Sequence, residues 1–246
     1  MLGGIMVYQG SKSRITKYIC PVIQKYIDDN HIDTFIDAFV GGGNVIQNIK
    51  AANKVGYDTN PYLIAVLNNL DKLDEISIPI QKEEYDHCRN LWGANNHEEK
   101  PDWYVGMIGF IGSFGGKFYN GGWGKDACSS SPTRSRHEEK YRNMKAQAPK
   151  IADCQFYTQS FFDLNTSGAC IYCDPPYNTT TGYPYDDYNA EQFWTKAKEL
   201  AANNIVIVSE LSAPEGWKEI WSKPIRNILN AASNTAIRVE KLFVAE

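Results

Sequence analysis

The run Thr34–Phe39 passes directly into Gly41-Gly42-Gly43, and this junction constrains the fold more than any other stretch. Glycines after a strand allow a tight turn and let a ligand approach the backbone. The sequence predicts a helix beginning near Asn44, whose N-terminus would suit a carboxylate or phosphate. Lys54–Tyr57 reads as a second strand ending at Asp58. A helix then opens on Pro61 and carries Leu63, Ile64, Val66, Leu67 and Leu70. Strand, turn and helix in repetition indicate a parallel α/β sheet. The alternation resumes at Cys154–Thr158, Ala169–Cys173, a helix near 190–202 and Asn204–Ser209. Edge strands are expected near 225–228 and 236–244. An earlier helix is expected over Arg14–Ile27.

The interval 79–150 has a different character. Its first part reads as helical, residues 106–124 are rich in glycine and aromatics, and 125–136 are rich in Ser and Arg. The expected organisation is therefore 1–78 with 151–246 as one domain, interrupted by a mostly helical insertion at 79–150. Residues 117–150 hold eight basic and three acidic side chains, a formal +5 in a chain of net −4, which leaves the rest at −9. A basic island on an acidic body is a candidate polyanion-binding face.

With 43% hydrophobic and 22% charged residues, the chain is not globally disordered. No apolar run approaches the ~18–20 residues that span a bilayer, and the N-terminus lacks a secretory pattern. A cytoplasmic protein with no membrane partner is expected. The six cysteines then read as free thiols. Cys170 and Cys173 would point to opposite faces of one strand, which spoils chelation, so no metal is expected.

Three sites carry candidate chemistry. The glycine turn is the first. Asp58, at the next strand end, is placed to accept hydrogen bonds from ribose hydroxyls, because Asn60 can cap the Pro61 helix instead. The third is Asp174-Pro175-Pro176-Tyr177. Two prolines stiffen the backbone and remove two donors. The Asp174 carboxylate and the Pro175 carbonyl are then acceptors in a fixed array, and Tyr177 offers a flat face. Two acceptors and an aromatic plate suit an amino group on a planar heterocycle.

Phe39-x-Gly41-x-Gly43 followed by Asp174-Pro175-Pro176-Tyr177 resembles the S-adenosylmethionine-dependent DNA N6-adenine methyltransferases. Tyr8-Gln9-Gly10-Ser11-Lys12 resembles the segment that opens DNA adenine methylases of the Dam type, and the motif order is that of the alpha arrangement. The resemblance implies a Rossmann-like, doubly wound methyltransferase sheet with a target-recognition insertion. It also implies S-adenosylmethionine as methyl donor and double-stranded DNA as partner, with no obligate protein partner. Tyr8 and Lys12 would hold the cofactor, Lys12 near its carboxylate. Asp37, Phe39 and Gly41 would line the methionine end, Asp58 the ribose, and Phe161 the adenine, with Phe162 as its alternate. Asp174 would lie between cofactor and target, with Pro175 and Tyr177 completing the catalytic corner. The family's hairpin would fall around 111–125, and Lys117, Lys125, Arg134 and Arg136 are the candidate DNA contacts. Methylation of RNA or of a protein glutamine, and a non-catalytic DNA-binding protein, are the competing readings. An intact Asp174 disfavours the glutamine and non-catalytic ones.

Overall fold

The computed structural model describes residues 6–8, 10–128, 131–175, 189–226 and 237–245. Helix α1, Thr16–Asp29, buries Ile19, Cys20, Ile23 and Ile27 along one stripe. Strand β1, Thr34–Asp37, follows, then β2, Asn53–Asp58. Between them stands only a 3-10 turn at Ile46–Asn48, and not the helix expected from Asn44. Few residues separate Gly43 from β2, and Val45, Ile46 and Ile49 spend them plugging the core. The anion site of a helix N-terminus is accordingly absent from this corner.

Helix α2, Pro61–Leu67, starts as its sequence dictates. Asn60 Oδ1 accepts from the Tyr62 and Leu63 amides at 3.1 and 3.2 Å, with Pro61 in the first turn. Helices α3 (Lys82–Gly93) and α4 (Asp102–Gly112), the antiparallel pair β3–β4 (Ala127–Cys128, Ser131–Ser135) and helix α5 (Arg136–Ile151) occupy the interval expected as an insertion. The chain then returns to the sheet through β5 (Cys154–Thr158) and β6 (Ala169–Cys173). Helix α6 (Ala190–Ala201), β7 (Ile205–Glu210), β8 (Trp217–Arg226) and β9 (Ile237–Ala245) complete it. The tail strands are longer than the edge strands expected and pair antiparallel, and residues 227, 228 and 236 lie outside the described set.

The seven-stranded sheet has the order β5-β2-β1-β6-β7-β9-β8. The first five strands are parallel, whereas β9 runs antiparallel to both β7 and β8. The order reverses direction beside β1, the switch point at which such sheets bind ligands. Strand β6 is central and wholly buried. Its side chains alternate between two hydrophobic clusters: Cys170 and Tyr172 enter one, Ile171 and Cys173 the other. The two cysteines therefore do face apart, and the five described cysteines with assigned state are free thiols. The first cluster also takes in Tyr85, Ile108, Phe110, Tyr119 and Met144, so the insertion shares one core with α1 and α2. The second packs α6 through Phe193, Ala197 and Leu200.

Candidate active site

Three aspartates stand at the C-terminal ends of three neighbouring parallel strands. Asp37 on β1 pairs in register with Gly56 of β2 and Tyr172 of β6. Asp58 and Asp174 each lie two residues further along, ~6–7 Å beyond the level of Asp37. The glycine corner and the Asp174 corner are thus side by side on one sheet, bonded through the Ala38 amide to the Tyr172 carbonyl at 2.9 Å.

Gly41 and Gly43 have φ of +46° and +69°, the left-handed region that favours glycine. The Tyr8 ring lies over the turn. A Cβ on Gly42 would sit 2.9 Å from the Tyr8 Cβ, and one on Gly41 3.1 Å from its ring. Asp58 turns one oxygen to the Gly41 amide (3.1 Å) and the other to the Asn60 amide (3.0 Å), which fixes its carboxylate against the turn. The sequence anticipates Asp58 at the strand end but not this contact to the glycine corner.

Lys12 is buried and bridges two carboxylates, Asp174 at 3.0 Å and Glu240 of β9 at 3.4 Å. Glu240 escapes sequence reasoning altogether, because it arrives from the last strand. Asp37 is 2% exposed, and its Oδ1 has no hydrogen-bond partner among the described residues. Burial, then the nearby Asp174 carboxylate, pushes its pKa up to about 8, against the pull of the Phe39 and Ile46 amides.

Phe39 packs on Phe161 with ring centroids 5.3 Å apart, and Phe161 packs on Phe193 at 5.0 Å. Phe161 is only 2% exposed. The solvent-facing ring is its neighbour Phe162, 36% exposed, which lines an open groove of about 620 Å³ with Asn189, Gln192, Thr195 and Lys196. Pro175 is buried at the end of the Asp174 corner. Tyr177 and residues 178–188 lie outside the described residues, as does Gln9.

The hairpin expected around 111–125 is displaced. That stretch forms two 3-10 turns, Phe114–Gly116 and Phe118–Gly121, closed by a Ser113–Trp123 bridge, and the hairpin follows at β3–β4. Glycine-rich chain here is spent on packing, with Phe118 and Tyr119 buried. The basic island is also less open than its composition implies. Lys117 and Lys125 are exposed. Arg134 makes a bidentate pair with Glu139 (2.8 and 2.9 Å), while Arg142 pairs with Glu138 and Lys145 with Asp74. Arg136 opens α5. Lys140 is drawn inward, donating to the Ile111 and Phe110 carbonyls at 2.8 and 3.3 Å. Among the described residues no group of three or more His, Cys, Asp or Glu side chains is placed to hold a metal. No helix there is long and apolar enough to cross a membrane.

A model of the D12 class N6 adenine-specific DNA methyltransferases matches residues 8–214. The chain is 27% identical over 220 residues to the type II methyltransferase M.FokI of Planomicrobium okeanokoites, covering 81% of this chain and 32% of that protein. It is 26% identical over 226 residues to the modification methylase StsI of Streptococcus sanguinis, again covering 81% and 32%. The chain therefore spans about a third of the length of these relatives. Among solved structures it is similar to a Pyrococcus horikoshii protein described as a candidate RNA methyltransferase (TM-score 0.45, 8% identity, 100% and 95% of the two chains). It is also similar to magnesium protoporphyrin IX methyltransferase of Synechocystis with bound S-adenosylmethionine (TM-score 0.39, 9% identity, 95% and 79%).

Proposed function

Because the chain belongs to the D12 class N6 adenine-specific DNA methyltransferases, we propose that it methylates the N6 amino group of an adenine flipped out of double-stranded DNA at a specific site. S-adenosylmethionine is the donor. The observation that carries this reading is the adjacency of Asp174 and the Gly41–Gly43 turn at neighbouring strand ends, tied together by the Tyr172–Ala38 bond.

The residues present fit that donor. The cluster of Asp37, Asp58 and Asp174 at neighbouring strand ends suits the sulfonium and ammonium charges, and Asp37 Oδ1, without a hydrogen-bond partner among the described residues, is open to a ligand group. Lys12 is the cation for the methionine carboxylate. Asp58 accepts from the ribose, Phe39 and Gly41 line the methionine end, and Phe161 or Phe162 bounds the adenine. When bound, S-adenosylmethionine supplies a methyl group already activated by its sulfonium.

The chain's own task is alignment. The adenine amine is a poor nucleophile because its lone pair is delocalised into the ring. Accepting its hydrogen bonds at the Asp174 carboxylate and the Pro175 carbonyl favours a tetrahedral nitrogen and restores that lone pair. No metal is required by this scheme. Extracting the base costs a few kcal/mol of stacking and pairing, part of which Tyr177 recovers by stacking. Lys117, Lys125, Arg134 and Arg136 meet the phosphates, with 79–150 as the target-recognition segment. The relatives' names support a modification role, marking DNA at one short sequence in the cytoplasm of a bacterial or phage-infected cell. No protein partner is needed for the transfer itself.

The test is incubation with labelled S-adenosylmethionine and unmethylated DNA or RNA, followed by mass spectrometry of the nucleosides. N6-methyladenine in duplex DNA is the expected product, and sequencing gives the site. Label on RNA or protein alone, or on neither, overturns the reading.

A further inference from the structure

Helix α5 buries one stripe, His137, Met144, Gln147 and Ile151, and Lys140 lies on the same side one turn from His137. Three polar side chains of this stripe each satisfy the backbone of a different loop. The His137 Nε2–H donates to the Gly124 carbonyl at 2.8 Å, at the foot of the β3–β4 hairpin. Lys140 donates to the Ile111 and Ser113 carbonyls at 2.8 and 2.5 Å, where the turns carrying exposed Phe114 and Lys117 begin. Gln147 is 0% exposed; its Nε2 donates to the Gly42 carbonyl at 2.8 Å and its Oε1 accepts from the Met6 amide at 2.9 Å. The hairpin end is fastened a second time. Asp126 accepts from the Ser135 hydroxyl (2.7 Å) and the His137 amide (2.9 Å), and Ser135 caps the helix.

A helix rises ~1.5 Å per residue, so the ten residues from 137 to 147 hold these loops ~15 Å apart on one stiff element. The two partners of Gln147 are the glycine turn and the strand of chain that carries Tyr8 onto it. We infer that α5 couples the DNA-contacting loops to the cofactor turn, with Gln147 as the positioning residue that transmits the coupling. A duplex seated on residues 113–126 and 134–136 fixes α5, and α5 fixes the Gly42 peptide and the Met6–Tyr8 segment. By reciprocity, a ligand on the glycine turn tightens DNA binding by the same factor. This rests on the DNA reading above.

The experiment measures equilibrium binding of labelled S-adenosylhomocysteine to the full chain with and without saturating, sheared, unmethylated genomic DNA. The wild type is expected to bind at least about fivefold more tightly with DNA. The near-isosteric Gln147→Met removes both bonds and brings that ratio to near one, while its affinity for DNA alone stays within about twofold of wild type. A general loss of structure lowers both affinities instead. Gln147→Glu keeps the acceptor for Met6 but not the donor to Gly42, and decides the ratio if the methionine variant does not fold. A wild-type ratio near one overturns the inference, and so does an unchanged ratio in a folded variant. Both are binding results, so they stand apart from the methylation assay: a chain that methylates adenine with a ratio of one keeps its function and loses this coupling.

Discussion

Asp37 holds a proton that an ordinary carboxylate releases at neutral pH. Its folded pKa is raised to about 8 from the ordinary 3.8, first by burial and then by Asp174. Between those values the native chain binds a proton that the unfolded chain has lost, so stability is intact below the window and falls as pH climbs through it. Asp37→Asn imitates the protonated form. Without ligand, its thermal midpoint near pH 8.5 is expected to exceed the wild type's by at least about 2 °C, and the gap closes as the pH falls toward about 4. The same variant binds S-adenosylmethionine more weakly, because a bound cation would draw the proton off Asp37 and be met by a carboxylate, whereas the amide has no proton to give up and stays neutral. Equal midpoints at both pH values, read by scanning fluorimetry, would show that Asp37 is ionised in the fold. Asp174 separates chemistry from binding. Asp174→Ala removes one acceptor for the amine and leaves Lys12 on Glu240. Transfer is expected to fall at least about a thousandfold, with S-adenosylmethionine affinity lowered much less; full activity in tritium-transfer assays would end the role given to Asp174.

Elements show why sequence reading succeeded unevenly. Strands β1, β6 and β7 are short runs rich in apolar residues, while β2 and β5 are mixed in polarity and are placed mainly by the turn and helix signals that flank them. The helix after Gly43 failed because three buried apolar residues, Val45, Ile46 and Ile49, satisfy a helical pattern and a plugged turn equally well. Asp37, Asp58 and Asp174 are visible because strand ends are visible. Glu240 and Gln147 are invisible because their partners are more than a hundred residues away. Lys140 is the sharpest case: by composition it is one of eight island cations, yet in the fold it clamps the carbonyls that end α4. Burial pushes its pKa down to about 8. Lys140→Met leaves those carbonyls without their donor, which is expected to cost ~1–3 kcal/mol in urea unfolding. It should loosen the 113–123 turns and weaken DNA binding more than S-adenosylhomocysteine binding. The reverse order would place Lys140 outside the DNA-contacting unit.

For the whole molecule, charge placement sets how DNA approaches. Outside residues 117–150 the chain carries a formal −9, so a duplex meets repulsion except across that island. Within the island the sum of +5 overstates what phosphates find. Lys140 is buried in backbone contacts, and Arg134, Arg142 and Lys145 each lie against a carboxylate. Each phosphate neutralised contributes a slope of about −0.9 to log K against log salt for duplex DNA. Eight engaged cations predict roughly −7; the four proposed contacts, Lys117, Lys125, Arg134 and Arg136, with Arg134 exchanging Glu139 for a phosphate, predict roughly −3.6. The geometry favours the lower figure, and filter binding across a salt series is expected to give a slope no steeper than about −4. Lys117→Ala and Lys125→Ala, both at exposed positions, should each make it shallower by about one, whereas Lys145→Ala, already committed to Asp74, should not. A slope near −7 would mean that the carboxylate pairs open on DNA and that the arginines of the hairpin and α5 turn outward. The insertion's affinity would then come from rearrangement instead of from a preformed face.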